Sequence, residues 1–154
     1  MALGSRAEGP AGSQMHDLGL THVALPVCRL EDSLAFYAKY ARMEVVHRRT
    51  DSSGAGIAWV SDKTRPFVLV LLEEPAVEHP LEPSAHLGVG CESREEVDRL
   101  CALARAEGRV VVGPSDSGYP VGYWALIRDP DGHTLEISYG QEVGLAVEQA
   151  RGRG

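Results

Sequence analysis

One order of apolar patterns occurs twice along this chain. A strand-like run, "LTHVALPV", leads into a helix-like one, "LEDSLAFYAKYAR", and shorter strand-like runs follow near "MEVVHRR", "GIAWVS" and "PFVLVLLE". The order then returns as "SAHLGVGC", "SREEVDRLCALARAEG", "RVVVG", "GYWALIR" and "HTLEISYG". The pattern predicts an α+β chain built of two βαβββ modules, an internal repeat of structure with weak identity of sequence. At 154 residues, 44% of them hydrophobic, the chain can bury one core or two small modules sharing one.

The helices carry the clearest local signals. In the first, Leu30, Leu34, Tyr37 and Ala41 recur at i, i+4, i+7 and i+11 and predict one buried stripe. In the second, Ser93 and Glu96 have the spacing of a capping box, and Val97, Leu100, Cys101 and Ala104 form the stripe. Gly108 can close that helix in the left-handed conformation. The modules are expected over residues 18–74 and 84–141, joined by a Pro- and Glu-rich linker at 75–83. Residues 1–17 read as a disordered leader, with order beginning near Met15, and residues 142–154 as a C-terminal tail that loosens after about Val147.

The net charge of −7 and the lack of any Lys/Arg run argue against nucleic acid as a partner. No apolar run approaches the ~20 residues that span a bilayer, and "MALGSRAEGPAGSQ" lacks the apolar centre of a secretion signal, so a cytoplasmic protein without membrane contact is expected. Cys28, Cys91 and Cys101 are odd in number and show no CxxC spacing, so they read as buried thiols in a reducing compartment.

Alternation along the strands then brings three residues into relation. Leu20, His22, Ala24 and Pro26 share one face of the first strand, as Ser84, His86, Gly88 and Gly90 do in its repeat counterpart. The opposite face is in each case the more continuous apolar surface and suits cover by a helix. In "HTLEISYG", Glu136 shares its face with Thr134 and Ser138 and not with His133. A carboxylate on a buried strand loses hydration worth several kcal/mol and calls for a cation, a hydrogen-bond network or water. Two imidazoles and a carboxylate facing one concavity form a ligand set for a divalent transition metal with open positions.

At these residues the chain resembles the vicinal oxygen chelate superfamily, which includes glyoxalase I, bleomycin-resistance proteins, extradiol dioxygenases, fosfomycin-resistance transferases and methylmalonyl-CoA epimerase. The resemblance runs over about residues 19–141 and rests on "LTHVALPV", "SAHLGVG" and "RDPDGHTLE". It implies paired modules curling into a U-shaped, partly closed β-cup around a metal, with ligands at His22, His86 and Glu136. The metal implied is Fe, Mn, Ni, Co or Zn. A gapless alignment of "VSDKTRPFVLVLLE" on "IRDPDGHTLEISYG" sets Leu69 against Glu136, where glyoxalase I and the epimerase carry a fourth ligand. Leu126 stands where the dioxygenases and transferases place a Tyr, Ala24 replaces the transferases' Thr, and no Lys or Arg follows Arg128 until Arg151. These departures disfavour each of the well-known chemistries.

The expected function is that of a metal-dependent small-molecule enzyme whose metal acts as a Lewis acid on adjacent substrate oxygens. The alternative is a bleomycin-resistance-like protein that binds a drug or metabolite without catalysis. A homodimer is expected, because small members of the superfamily often build each site from two chains. Tyr119, Tyr123 and Trp124, in and beside "GPSDSGYPVGYW", are candidate substrate contacts. His47, Arg48 and Arg49 form a basic cluster that reads either as an attractor of anions or as a solvated strand end. His16 and His79 receive no role.

Overall fold

The computed structural model describes residues 17–153; residues 1–16 of the expected leader, Met15 and His16 among them, and Gly154 lie outside the described residues. The elements follow the repeat. The first module holds β1 (His22–Val27), α1 (Leu30–Ala41), β2 (Glu44–Thr50), β3 (Gly56–Ser61) and β4 (Val68–Glu73). The second holds β5 (Leu87–Gly90), α2 (Arg94–Ala106), β6 (Val110–Asp116), β7 (Tyr123–Arg128) and β8 (Thr134–Tyr139), and α3 (Val143–Arg151) follows. Each module forms a four-stranded mixed sheet, in the orders β1-β4-β3-β2 and β5-β8-β7-β6, so the first strand of each module lies at an edge and pairs in parallel with the last. An edge position explains how β1 tolerates Pro26, which has no N–H to give a ladder.

Helix boundaries have local causes. Ser93 caps α2, its hydroxyl accepting the Glu96 N–H at 3.1 Å. The Glu96 side chain turns to Arg42 and Arg99 instead of returning to the cap, so only half of the expected capping box forms. At the other end Gly108 has φ +70°, with Gly108 N–H donating to Arg105 C=O at 3.0 Å and Arg109 N–H to Ala104 C=O at 2.8 Å, the paired closure of a Schellman motif.

Both helices cover the predicted sheet faces. The stripe of α2 is buried as expected through Val97, Leu100, Cys101 and Ala104. That of α1 is wider than expected: Leu34 is only half-buried, while Phe36 and Tyr40 join Leu30, Tyr37 and Ala41 in the core. The second module supplies the extra cover, since the Arg109 guanidinium lies 5.3 Å from the Phe36 ring centre and Tyr37 Oη donates to Asp129 Oδ2 at 2.9 Å.

That junction is polar. The Cys28 N–H donates to Asp131 Oδ1 at 2.9 Å, and Lys39 and Arg42 of the first module pair with Glu107 and with Glu92 and Glu96 of the second. His133, 1% exposed, accepts the Leu81 N–H at Nδ1 (3.0 Å) and reaches the Pro26 carbonyl through Nε2 (2.8 Å), which requires the neutral ring protonated at Nε2. It thereby fixes the linker and β1 to the start of β8, apart from any metal ligand. Burial pushes the Asp129 carboxyl above its ordinary range, although the Tyr37 hydroxyl and the backbone N–H groups of Asp131 and His133, all donating to it, oppose this.

Register corrects one expectation. Val23 pairs with Leu69 and Ala24 with Val70, whereas Leu87 pairs with Leu135 and Gly88 with Glu136. With His22 set against His86, the counterpart of Glu136 is therefore Val70, and Leu69 is the counterpart of the buried Leu135. The connection between β3 and β4, residues 62–67, is one residue longer than that between β7 and β8, residues 129–133. A gapless alignment slides by one residue across it, and in a strand one residue exchanges the two faces. The chain end departs from the expected looseness too, for residues past Val147 continue α3 to Arg151, although none of its residues is buried. Among the described residues no helix is long and apolar enough to cross a membrane.

Candidate metal centre

The face of the second sheet turned away from α2 carries Gly88, Glu136 and Leu126 side by side in neighbouring strands, with Trp124 beside Ser138 one step along. Leu135 and Ile137, pointing the other way, are fully buried beneath α2. Glu136 itself is 8% exposed. Its neighbour Gly88 has no side chain, and a Cβ there would meet Glu136 Oε1 at 3.9 Å, an ordinary contact.

His86 stands just before β5 and is exposed. Its Nδ1 lies 2.8 Å from the Ser84 carbonyl oxygen, an atom that only accepts, so Nδ1 carries the proton. In the neutral ring Nε2 then bears a lone pair, and it faces Glu136 Oε2 at 3.6 Å. That separation exceeds a hydrogen bond. Two lone-pair donors repel one another unless a proton or a cation stands between them. Donors each about 2.0–2.2 Å from one ion stand roughly 3–3.6 Å apart, so this pair fits two positions on one transition metal. The carbonyl behind His86 is the kind of outer partner that fixes a ligating ring and its tautomer.

Gln141, which the strand pattern had no means to single out, donates from Nε2 to Glu136 Oε1 and leaves Oε2 for His86. It lies beyond the end of β8, where alternation no longer applies. An amide five residues after a buried carboxylate was the only trace of it in the sequence.

His22 occupies the matching place on the first sheet. It is exposed at the start of β1, its Nδ1 is 2.9 Å from Thr21 Oγ1, and it lines a cavity of about 500 Å³ on the face that also presents Val70 and Trp59. A single chain brings His86 and Glu136 together but does not bring His22 to them. Among the described residues no three His, Cys, Asp or Glu side chains of one chain cluster closely enough to hold a metal ion.

The aromatic candidates separate. Trp124 lies on the Glu136 face, half-buried, with Nε1 donating to Ser117 Oγ at 2.9 Å. Tyr123 alternates to the other face, where its hydroxyl donates to Asp98 of α2 at 2.5 Å and the Arg94 guanidinium lies 4.2 Å from its ring centre. Tyr119 is 72% exposed in the loop after β6. The basic cluster also divides: Arg48 pairs with Glu31, the His47 ring lies 4.9 Å from that of Trp59, and Arg49 enters the cavity beside His22.

The profile of the Glyoxalase/Bleomycin resistance protein/Dioxygenase superfamily matches residues 19–137. The uncharacterized protein PA2024 of Pseudomonas aeruginosa is 38% identical over 132 residues, covering 84% of this chain and 94% of that protein. Among solved structures, the trypanothione-dependent glyoxalase I of Leishmania major superposes with a TM-score of 0.68 at 21% identity, over 90% of this chain and 100% of that one. A variant of the fosfomycin resistance protein FosX of Listeria monocytogenes, solved with Mn(II) and a dihydroxypropylphosphonic acid, gives 0.62 at 19% identity, over 81% and 97%. At these identities the two structures share the fold with this chain.

Proposed function

Since the chain belongs to the Glyoxalase/Bleomycin resistance protein/Dioxygenase superfamily, we propose that it is a metal-dependent enzyme acting on a small molecule with adjacent oxygens, its site built from two copies of the chain. One observation carries this reading: the His86 Nε2 lone pair and the buried Glu136 carboxylate face each other at 3.6 Å, a pairing that a cation stabilises. His86 and Glu136 of one copy and His22 of the second would complete the set, because one chain keeps His22 on its other sheet. Of the three cysteines expected to be buried only Cys101 is, Cys91 being half-buried and Cys28 exposed; all three are free thiols, which accords with the cytoplasmic setting that is part of the proposal.

The roles of the chain's own residues follow from their placement. Ser84 holds the His86 ring through Nδ1, and Gln141 holds Glu136 through Oε1, so both donors are oriented before anything binds. Leu126 and Trp124, both half-buried, flank Glu136 and Ser138 and give this face an apolar side. A bound Fe, Mn, Ni, Co or Zn ion would supply Lewis acidity toward two adjacent substrate oxygens. Neither Val70, at the counterpart of Glu136, nor Leu126 can transfer a proton, so proton movement in this reading falls to the substrate or to water.

Metal analysis of the purified protein tests the proposal. About one transition metal per chain is expected, with most of it lost on His86→Ala or Glu136→Gln substitution. Metal content that is far below stoichiometric and indifferent to His86 would instead favour a protein that binds its small molecule without catalysis.

A further inference from the structure

The cavity beside His22 has features that the metal does not account for. Arg49, near the end of β2, and Arg65, in the loop between β3 and β4, both line it. Neither makes an ion pair among the described residues, in contrast to Arg42, Arg48, Arg94, Arg99 and Arg109, each of which has a carboxylate partner. Two cations gathered at one concavity and only partly offset by a carboxylate repel each other and favour an anion between them. The cavity also holds the faces of Trp59, 40% exposed, and Phe67. Asp17 lines it as well, leaving an excess of one positive charge.

From this arrangement we propose that the substrate is a flat, apolar or aromatic organic anion, its carboxylate held by Arg49 and Arg65 and its body lying against Trp59 and Phe67. The inference rests on the metal-site reading only for orientation: His22, in the same cavity, would place the substrate's remaining oxygens toward the ligands of the second copy. Guanidinium groups bind carboxylates through paired, charge-assisted hydrogen bonds, and a rigid aromatic surface adds contact area at little entropic cost. An exposed arginine that merely solvates a strand end would give only a weak preference for an anion over its neutral analogue.

Calorimetric titration with salicylate, a flat carboxylate with an adjacent hydroxyl, and salicylamide, its uncharged counterpart, decides the matter. The full chain is used, both metal-loaded and chelator-treated. The wild-type protein is expected to bind salicylate about tenfold more tightly than salicylamide in both states. Arg49→Gln and Arg65→Gln should each remove most of that preference while leaving metal content unchanged, and Arg48→Gln, whose partner is Glu31, should keep it. Failure to bind salicylate, equal affinity for the two probes, or a preference that survives in the double Arg49→Gln, Arg65→Gln variant would overturn the assignment. Loss of the metal reading with the charge preference intact would overturn only the preceding proposal.

Discussion

Glu136 shows what one buried carboxylate demands of its neighbours. At 8% exposure it has lost most of its water, and it faces Gln141, the Nε2 edge of His86 and, on the adjoining strand, Gly88. Its partner His86 was legible from strand alternation because it stands two residues before Gly88, the position paired with Glu136. Gln141 and Arg65 were not, since both lie in connections where no periodicity acts. Leu69 and Val70 give the sharpest test at this scale. Leu69 is 1% exposed beneath α1, whereas Val70 lines the cavity with His22. Leu69→Glu would bury an unpaired carboxylate and cost about 3–5 kcal/mol. Val70→Glu should fold with a melting temperature near that of the wild type and add an oxygen as a fourth donor on the His22 face. Thermal melts of the two variants check this, and the reverse order of stability would contradict the register.

Among the elements, the repeat was readable because each module joins a period-3.6 pattern to period-2 runs, and such patterning survives without sequence identity. The register between modules was hidden by a single added residue in the β3–β4 connection, which alters no apolar pattern yet exchanges two faces. The α1 stripe was misjudged for another reason: the second module covers Phe36 and Tyr40, and nothing within a helix announces a neighbour. The capping signal at Ser93 was local and held for its hydroxyl, while Glu96 was drawn off by arginines. Ser93→Ala should destabilise the protein by about 1 kcal/mol in denaturant unfolding, through the loss of a partner for the Glu96 N–H.

For the molecule as a whole, the junction between modules decides how the two sheets are held, and part of it depends on pH. Lys39 first, and then Arg109, hold the Glu107 carboxyl down at about 2, against an ordinary 4.5. Because the folded value is depressed, the stabilisation is fully present above pH 4.5 and is lost as pH falls toward about 2. Glu107→Gln should therefore lower the melting temperature at neutral pH, with the gap from wild type closing across that acid window; a gap independent of pH would show that the ion pairs contribute nothing there. The charges of this junction could be counted in the sequence, but their pairing across sixty-odd residues needed the fold.

The central claim is that His22 of one copy and His86 with Glu136 of another bind one metal. Mixing chains that carry His22→Ala with chains that carry His86→Ala, under conditions that exchange subunits, tests it most directly. Each variant alone should hold almost no metal. In the mixed dimer one site contains both substitutions and the other contains neither, so random mixing should restore about one metal per four chains. Recovery to that level is the predicted result; a mixture as empty of metal as its two parents would contradict the account.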